Sequence, residues 1–333
     1  MNKQRLSVAM CTYNGARFLS EQLESIAAQS QPPYELVICD DGSTDHTCEI
    51  IETFSRKREG LVRFHRNPHH LGYTKNFEQA ISLCKGDIIF LSDQDDVWLP
   101  GKAEKVSQVF AAEEYVGLVA VDATVADEQL RPKGTTLLRN RAIGLSNRKS
   151  FAHLYAGSFK YGCTLAFRAS LRKILLPISP HWGHDNWICF ISTIFSNVVV
   201  IEESLMLYRR HAASSGANAR LDLDKWAELL TAYKKSKLHD YKQDWEQWRT
   251  MYYHLLPIFT SGVTAAPPYS SVWTDASAQS LIKARLDFSE RRLQLAARPR
   301  TARIWPAIRT LLSGEYHEYV SGWRSLARDL LAT

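Results

Sequence analysis

The sequence lacks the long apolar runs of a membrane protein. Its longest runs, such as "DIIFL" and "NVVVI", are far shorter than the roughly 20 residues that a bilayer-spanning helix needs. The opening stretch "MNKQRLSVAM" also lacks the apolar core of a secretory signal. These two absences predict a cytoplasmic protein.

Three chemical signatures are missing as well. The six cysteines are scattered with no C-x-x-C pair, which argues against disulfides and against a zinc site. Neither G-x-G-x-x-G nor G-x-x-x-x-G-K-[ST] occurs in the chain. Hydride transfer and P-loop ATP hydrolysis therefore lose their usual sequence support. Separately, we expect no nucleic-acid partner.

The charge of the chain is unevenly placed. The net charge is +6, and from Ala213 to the C-terminus 17 Lys and Arg stand against 12 Asp and Glu, so +5 of it lies in the last third. We interpret this basic region as a solvated helix face. The alternative is attraction to anionic lipid head groups or to a phosphorylated acceptor.

The first hundred residues alternate between strand and helix patterns. Strand patterns occur at "LSVAMCTY", "YELVICD", "VRFHRN" and "DIIFLSD", and helix patterns lie between them at "FLSEQLESIAAQS", "TCEIIETFSRK" and "TKNFEQAISLC". This order predicts an α/β fold with a Rossmann-like, mostly parallel sheet and helices on both faces. Ligands of such sheets bind beyond the carboxyl ends of the strands.

Three polar clusters, "TYNG", "DDGSTD" and "SDQDD", follow strands at that edge. Each alone is more often a turn or a helix cap, but three at one edge predict a shared crevice. The last cluster gathers Asp93, Asp95 and Asp96, and crowded carboxylates repel one another unless a cation offsets them. Mg²⁺ and Mn²⁺ take oxygen ligands together with substrate phosphates. The cluster therefore predicts a site for a metal-bound diphosphate.

The chain resembles a family 2 glycosyltransferase with the GT-A fold over about residues 5–217. The resemblance rests on "VAMCTYNGARF", "ELVICDDGSTDHT", "NPHHLGYTKNFEQAI", "GDIIFLSDQDDVWLP", "KYGCTLAFRASL", "HWGHDNW" and "LYRRHAASSG". Among subgroups it is most similar to bacterial rhamnosyltransferase-like enzymes of O-antigen and capsule assembly. The resemblance implies inverting sugar transfer from a nucleotide donor to a hydroxyl of a glycan, with Mg²⁺ or Mn²⁺ as cofactor. It also implies that this glycan is lipid-linked at the inner membrane face.

The resemblance also assigns the nucleoside end of the donor site. It implies that Thr12, Tyr13 and Asn14 lie beside the base and the ribose. Asp40 or Asp41 is expected to accept a hydrogen bond from the base. These are binding roles, and none of these residues is assigned to the chemical step.

The acidic motif is assigned to the sugar and the metal. Asp93 is expected near the ribose or sugar, Asp95 on the metal, and Asp96 on the sugar or in support of the metal. His211 is expected on the metal or the diphosphate. The remaining contacts to nucleotide or phosphate are expected from Lys75, Arg209 and Arg210. For Lys75, a solvated lysine at a helix start is the alternative.

The family carries its general base at the position of Asp185, in "HWGHDNW". From spacing alone, Asp185 is equally well a helix N-cap. The resemblance favours the base, which takes the proton of the acceptor hydroxyl in a single displacement. Gly162, Cys163 and His184 are expected to line the acceptor and sugar pocket.

We predict two regions in the chain. Residues 1–217 form the GT-A catalytic domain, with a nucleotide-binding half over about 1–100 and an acceptor half over about 101–217. Residues 218–333 form a basic, aromatic-rich helical extension.

The predicted extension carries a stripe of aromatic residues. Tyr241, Trp245, Trp248 and Tyr252 recur with helical spacing, which is the pattern of a helix core. Six of the nine tryptophans lie from Trp226 onward, so contact with a membrane surface or a second copy of the chain is the alternative for some of them.

Other functions remain open at this point. A UDP- or GDP-hexose donor is the alternative to dTDP-rhamnose. A nucleotidyltransferase would share the sheet and the acidic site but would open with a Gly-rich basic loop, which "TYNGARF" is not. A degenerate, non-catalytic scaffold for polysaccharide assembly is the alternative of another class.

Overall fold

The computed structural model describes residues 4–138, 161–212, 238–261, 275–319, 325–326 and 329–330. The chain divides into two compact units. Of the described residues, those up to 212 belong to the first unit and those from 238 onward to the second. The predicted domain boundary at residue 217 lies outside the described residues and stays a prediction.

Nine strands lie in the described part of the first unit. They are β1 (Leu6–Thr12), β2 (Glu35–Asp40), β3 (Val62–Arg66), β4 (Ile88–Ser92), β5 (Val97–Trp98), β6 (Val116–Ala126), β7 (Pro132–Thr136), β8 (Leu165–Arg168) and β9 (Asn197–Arg209). The described helices of this unit are α1 (Leu19–Ala27), α2 (Thr47–Lys57), α3 (Tyr73–Leu83), α4 (Lys102–Ala112), α5 (Arg172–Leu175) and α6 (His184–Phe195).

Local sequence patterns explain the first elements. Every residue of β2 is buried, as expected for a strand covered on both faces. In α1 the buried Leu19, Leu23 and Ile26 recur at helical spacing and face the sheet. The helix α2 begins and ends where its pattern predicted, at Thr47 and Lys57.

The strands form one mixed sheet in the order β3-β2-β1-β4-β8-β6-β9-β5, with β7 paired to β6. The first four strands in this order are parallel, as predicted. Beyond β4, strand β8 pairs antiparallel to both β4 and β6, and β9 runs parallel to β6. The chain winds outward from β1 to β3 and then returns to β4 on the other side of β1. This reversal places a ligand crevice outside the carboxyl ends of β1 and β4.

The described part of the second unit is helical. Its helices are α7 (Leu238–Ser261), α8 (Asp275–Ala296), α9 (Ile304–Leu312) and α10 (Glu315–Tyr319). Helix α7 packs against α8. Of the predicted aromatic stripe, Tyr241 and Trp248 are buried, and Met251 and Leu255 continue the buried face. None of the described helices has the length and apolar composition that crossing a membrane requires.

Candidate active site

The turn after β1 is hydrogen-bonded to the turn after β2. Thr12 donates from Oγ1 to Asp40 Oδ2 at 2.8 Å. The Asn14 amide donates to Ser43 Oγ at 2.8 Å, and Asn14 adopts a left-handed φ of 48°, which asparagine tolerates. Between them, the Tyr13 ring is 48 % exposed. The turn therefore presents an aromatic face at the crevice predicted to bind the nucleoside.

Asp40 is buried at the base of this turn. Its carboxylate accepts hydrogen bonds from the Gly42 and Ser43 amides and from the hydroxyls of Thr12 and Ser43. Both oxygens of Asp40 are thus already engaged within the protein. Its observed role is to shape the turn, and a contact with the base stays a prediction.

Asp41 is also buried and holds the loop before α3. It accepts from the Leu71 and Gly72 amides at 2.7 and 2.9 Å and from the Asn67 amide group at 2.9 Å. The His70 ring, 3.0 Å from this carboxylate, stands 4.8 Å from the Tyr13 ring. Asp41 therefore positions one wall of the same crevice.

Gln94 joins the first and third polar clusters, a role that the motif analysis missed. Its side-chain Oε1 accepts from the Tyr13 amide at 2.9 Å, and its Nε2 donates to the Tyr13 carbonyl at 3.0 Å. A Cβ on Gly15 would stand 2.1 Å from Oε1, so Gly15 leaves the room that this contact needs. The parallel pairing of β1 with β4 is the signal that would have indicated it.

The acidic motif lies where β4 ends. Asp93 and Asp95 are partly buried and Asp96 is fully buried. Ligand atoms of Asp93, Asp96 and Cys163 lie within 4.8 Å of one another. Burial, followed by the neighbouring charges of Asp95 and Asp185, raises the pKa of Asp93. Burial and the charges of Asp95 and Asp93 also raise the pKa of Asp96.

These raised pKa values mean that negative charge is costly at the crevice. Asp96 Oδ1 accepts from the Arg209 amide at 3.1 Å, whereas its buried Oδ2 has no hydrogen-bond partner among the described residues. A group that supplies positive charge or a hydrogen-bond donor would relieve both features. A cation or a sugar hydroxyl meets that description.

His211 reaches the motif from the end of β9. Its Nε2 lies 2.8 Å from Asp95 Oδ2, and its ring packs against Phe18 at 4.8 Å. The two residues predicted to bind the metal are therefore neighbours, although 116 positions separate them. Mn²⁺ prefers carboxylate oxygen and accepts imidazole nitrogen, so Asp95 and His211 suit it better than the nearby Cys163 thiol does.

The two arginines predicted to contact the diphosphate, Arg209 and Arg210, differ in burial. Arg209 is buried, donates to the Asp95 carbonyl at 2.7 Å and pairs with Glu21, so it braces the acidic loop. Arg210 is partly exposed, and its amide donates to the Ala126 carbonyl. A contact with the diphosphate stays a prediction for both arginines.

Lys75 is tied to the loop before α6. Its Nζ lies 2.7 Å from Glu78 and donates to the Ile178 carbonyl at 2.9 Å. Glu78 in turn accepts from the Ile178 amide at 2.7 Å. The ammonium of Lys75 therefore has protein partners, and its contact with a phosphate stays a prediction.

Asp185 stands in the first turn of α6, whose N-cap position is taken by Gly183. The alternative of an N-cap at Asp185 is therefore not what the structure shows. Its Oδ1 accepts from the Asn186 amide at 2.7 Å. Because the charge of Asp185 contributes to the raised pKa of Asp93, the two carboxylates act on the same crevice.

His184 packs beside Gly162, and a role for the two in an acceptor or sugar pocket stays a prediction. Its buried ring stacks on Phe77 at 4.0 Å, and burial lowers its pKa to about 3. A Cβ on Gly162 would stand 2.5 Å from His184 Nε2, so the ring occupies the space that a larger residue would need. Neither ring nitrogen has a hydrogen-bond partner among the described residues. The neutral ring is thus a rigid wall next to Cys163.

A family model described as glycosyl transferase family 2 matches residues 7–175, about half of the chain. The chain belongs to this family. It is therefore a glycosyltransferase, as the motifs predicted. An uncharacterized glycosyltransferase of Nostoc sp. is 27 % identical over 225 residues, which cover 65 % of this chain and 67 % of the relative.

Two solved structures share the fold of the transferase. A fragment of S. aureus TarS, crystallised with UDP-GlcNAc, is 16 % identical with a TM-score of 0.53, over 97 % of this chain and 90 % of that one. A mannosyltransferase of Pyrobaculum calidifontis, crystallised with GDP-Man and Mn²⁺, is 17 % identical with a TM-score of 0.51, over 99 % and 86 %. The predicted GT-A fold with a C-terminal helical extension is confirmed.

A buried lysine under the acidic motif of the transferase also escaped the sequence analysis. Lys102 is 1 % exposed, and its Nζ donates to the Cys163 carbonyl at 2.9 Å and lies 3.9 Å from the Trp98 ring centroid. Burial lowers its pKa to about 8. Lysine at the first position of an ordinary helix gives no sequence signal of this burial. Its positive charge faces the carboxylates of Asp93 and Asp96 from inside the protein.

Proposed function

We propose that the transferase moves a sugar, with inversion, from a nucleoside diphosphate to a hydroxyl of a growing, lipid-linked bacterial surface polysaccharide. The observation that carries the proposal is the crevice at the ends of β1 and β4. It combines an exposed aromatic ring at Tyr13, a carboxylate cluster at Asp93 and Asp95, and a further carboxylate at Asp185. A nucleotide sugar needs these three features in one place.

The donor set at Asp95 and His211 fits a divalent cation. One carboxylate oxygen and one imidazole nitrogen stand 2.8 Å apart, and Asp93 adds negative charge beside them. Asp95 and His211 would hold Mg²⁺ or Mn²⁺, and the cation would offset the charge of the donor diphosphate. The presence of Mn²⁺ in the structurally similar mannosyltransferase supports this assignment.

Asp185 is proposed as the general base. An inverting transfer needs no covalent intermediate, so the protein must only remove the proton of the attacking hydroxyl and position the donor. Asp185 stands in the first turn of α6, and its charge contributes, after burial and the charge of Asp95, to raising the pKa of Asp93. We assign Asp185 to the acceptor side of the sugar, and the neighbouring His184 with Gly162 to the wall of the same pocket.

Rhamnose is the sugar that we propose, on the likeness of "SDQDDVW" and "YRRH" to rhamnosyltransferase-like sequences. The structurally similar proteins were crystallised with UDP-GlcNAc and with GDP-Man, so UDP- and GDP-hexoses are the competing donors. Thermal shift with dTDP, UDP and GDP, each with and without Mn²⁺, separates them. Selective stabilisation by dTDP is the expected result. Selective stabilisation by UDP or GDP would contradict rhamnose and assign a UDP- or GDP-hexose donor instead.

Two variants test the chemistry. Asp185→Asn should keep nucleotide and Mn²⁺ binding but lower turnover by about 10²–10⁴-fold, because only the proton acceptor is lost. Asp95→Ala should lose Mn²⁺-dependent stabilisation as well as turnover. Glu49→Gln, at a side chain that is 75 % exposed, is the control and should match the wild type. Near-normal transfer by both Asp variants would refute the mechanism. Nucleotide binding without donor hydrolysis or transfer by the wild type would favour a non-catalytic scaffold.

A further inference from the structure

Helix α9 exposes its apolar side chains to the solvent. Trp305 is 80 % exposed, Leu312 is 81 % exposed and Ile304 is 47 % exposed. All nine residues of α9 are described, and among them only Ala307 is buried. In an ordinary surface helix the large apolar residues face the core instead. Helix α9 is therefore amphipathic with its apolar face outward.

The apolar residues of α9 form one continuous face. At about 100° per residue, five of them fall within an arc of about 120° around the helix axis. They are Ile304, Trp305, Ile308, Leu311 and Leu312. Apolar exposure of this kind marks an interaction surface, because scattered single residues would not line up.

The flank of this face is strongly basic. From Arg291 to Arg309 the sequence carries six arginines and no Asp or Glu. Arg292 and Arg303 are buried within the unit. Arg298 and Arg309 are exposed, and neither guanidinium has an ion pair with a described residue. Arg309 borders the apolar face beside Trp305, and Arg298 lies on the polar side of α9, where it lines a cavity with Pro306 and Thr310.

A cavity of about 220 Å³ lies beside α9 on its basic side. Pro306 and Thr310 of α9 line it together with three arginines, Arg291, Arg292 and Arg298. Arginine side chains recognise phosphate oxygens through several directed hydrogen bonds. Arg291 is paired with Glu315 and Arg292 with Asp329, so Arg298 is the arginine that the cavity offers to a phosphate, on the side of α9 opposite its apolar face.

We propose that α9 and its flanking arginines dock the transferase on an anionic lipid bilayer. Trp305 and Leu312 insert at the boundary between head groups and acyl chains, and Arg298 and Arg309 contact lipid phosphates. Basic helices with tryptophan and leucine on one face bind membrane surfaces in this way. The inference rests on the proposed function in one respect, because a lipid-linked acceptor lies in the same membrane.

Charge favours a bilayer over a second copy of the chain. In a two-fold dimer through α9 the same patch would face itself, so the exposed arginines would approach like charges. No acidic residue between Arg291 and Arg309 is available to pair with them. In an anionic bilayer, the lipid phosphates supply negative charge to pair with the exposed arginines, and the acyl chains cover the apolar face of α9.

The test is flotation of the full-length protein with vesicles. Wild type should float with phosphatidylcholine vesicles that contain phosphatidylglycerol, float poorly with pure phosphatidylcholine, and dissociate as salt is raised. Trp305→Glu combined with Leu312→Glu should lower the bound fraction at least about tenfold. Arg298→Ala combined with Arg309→Ala should reduce the preference for phosphatidylglycerol. Tyr253→Glu, at a side chain that is 60 % exposed on α7, is the matched control and should bind like the wild type.

Two outcomes would overturn the inference. One is equal flotation of the wild type and the Trp305→Glu, Leu312→Glu protein. The other is a wild-type dimer by analytical ultracentrifugation that this double variant dissociates, with no vesicle binding, which would assign the face to self-association. A thermal-shift assay with nucleotide, run in parallel, separates the membrane proposal from the proposed transferase function. The α9 variants should still be stabilised by nucleotide, whether or not they bind vesicles.

Discussion

At the scale of single residues, Gln94 links nucleoside binding to the acidic motif. Its amide group closes two hydrogen bonds with the Tyr13 backbone, at 2.9 and 3.0 Å. The Tyr13 ring itself packs against His70, with 4.8 Å between the ring centroids. Gln94 therefore acts as a positioning residue for the turn that carries the exposed aromatic ring.

We predict that Gln94→Ala raises the KM for the nucleotide sugar roughly tenfold, because two net hydrogen bonds that order the turn are lost. The kcat should change little, since both polar atoms of the Gln94 side chain are engaged with the Tyr13 backbone and not assigned to the chemical step. Gln94→Glu, which keeps an acceptor for the Tyr13 amide but loses the donor, should give an intermediate KM. Steady-state kinetics measure both constants, and an unchanged KM in the Ala variant would contradict the assigned role.

Several site residues could be predicted from sequence and others could not. The crowded charge after a strand indicates Asp93 and Asp95, and the family resemblance indicates His211. The structure brings Asp95 and His211 together. Gln94 and Lys102 have ordinary sequence contexts. Their importance comes from strand register and burial, which a single sequence does not reveal.

At the scale of elements, local periodicity determines the first half of the sheet. The strands β1 to β4 and the helices α1 to α3 lie within a few residues of their predicted positions, because each element is read from its own apolar pattern. The antiparallel insertion of β8 between β4 and β6 was not predicted. It depends on pairing between residues such as Ile88 and Arg168, which are far apart in the sequence, and local periodicity does not encode such contacts.

Lys102 connects three of these elements. It begins α4, stands over the Trp98 ring of β5 and donates to the Cys163 carbonyl in the turn before β8. It also lies 3.4 Å from Met206 Sδ of β9. A single buried ammonium thus holds together the elements around the acidic motif.

We predict that Lys102→Met lowers the free energy of unfolding by about 1–3 kcal/mol, because the Cys163 carbonyl loses its buried donor. The control is Lys105→Met on the same helix, whose ion pair with Glu203 is exposed and should be worth less than about 1 kcal/mol. Urea denaturation measures both variants. Equal losses in the two would show that the buried contact of Lys102 contributes nothing beyond a surface charge.

At the scale of the whole molecule, the second unit depends on one buried carboxylate. Asp329 is fully buried and accepts from Arg292 of α8 at 2.6 and 2.7 Å. It also accepts from the hydroxyls of Tyr241 in α7, at 3.0 Å, and Tyr316 in α10, at 2.5 Å. Side chains of three helices therefore converge on Asp329.

We predict that Asp329→Ala destabilises the second unit by about 3–5 kcal/mol, because Arg292 would remain buried without its counter-charge. Asp287→Ala, which breaks the exposed pair with Lys283 on α8, is the control and should cost less than about 1 kcal/mol. Differential scanning calorimetry with and without dTDP and Mn²⁺ separates the units, since the nucleotide of the proposed donor should stabilise only the unit that carries the crevice. The transition that nucleotide does not shift should move to lower temperature in Asp329→Ala, while the nucleotide-sensitive transition stays in place. If both transitions fall together, the two units unfold as one cooperative body and the C-terminal network supports the catalytic unit directly.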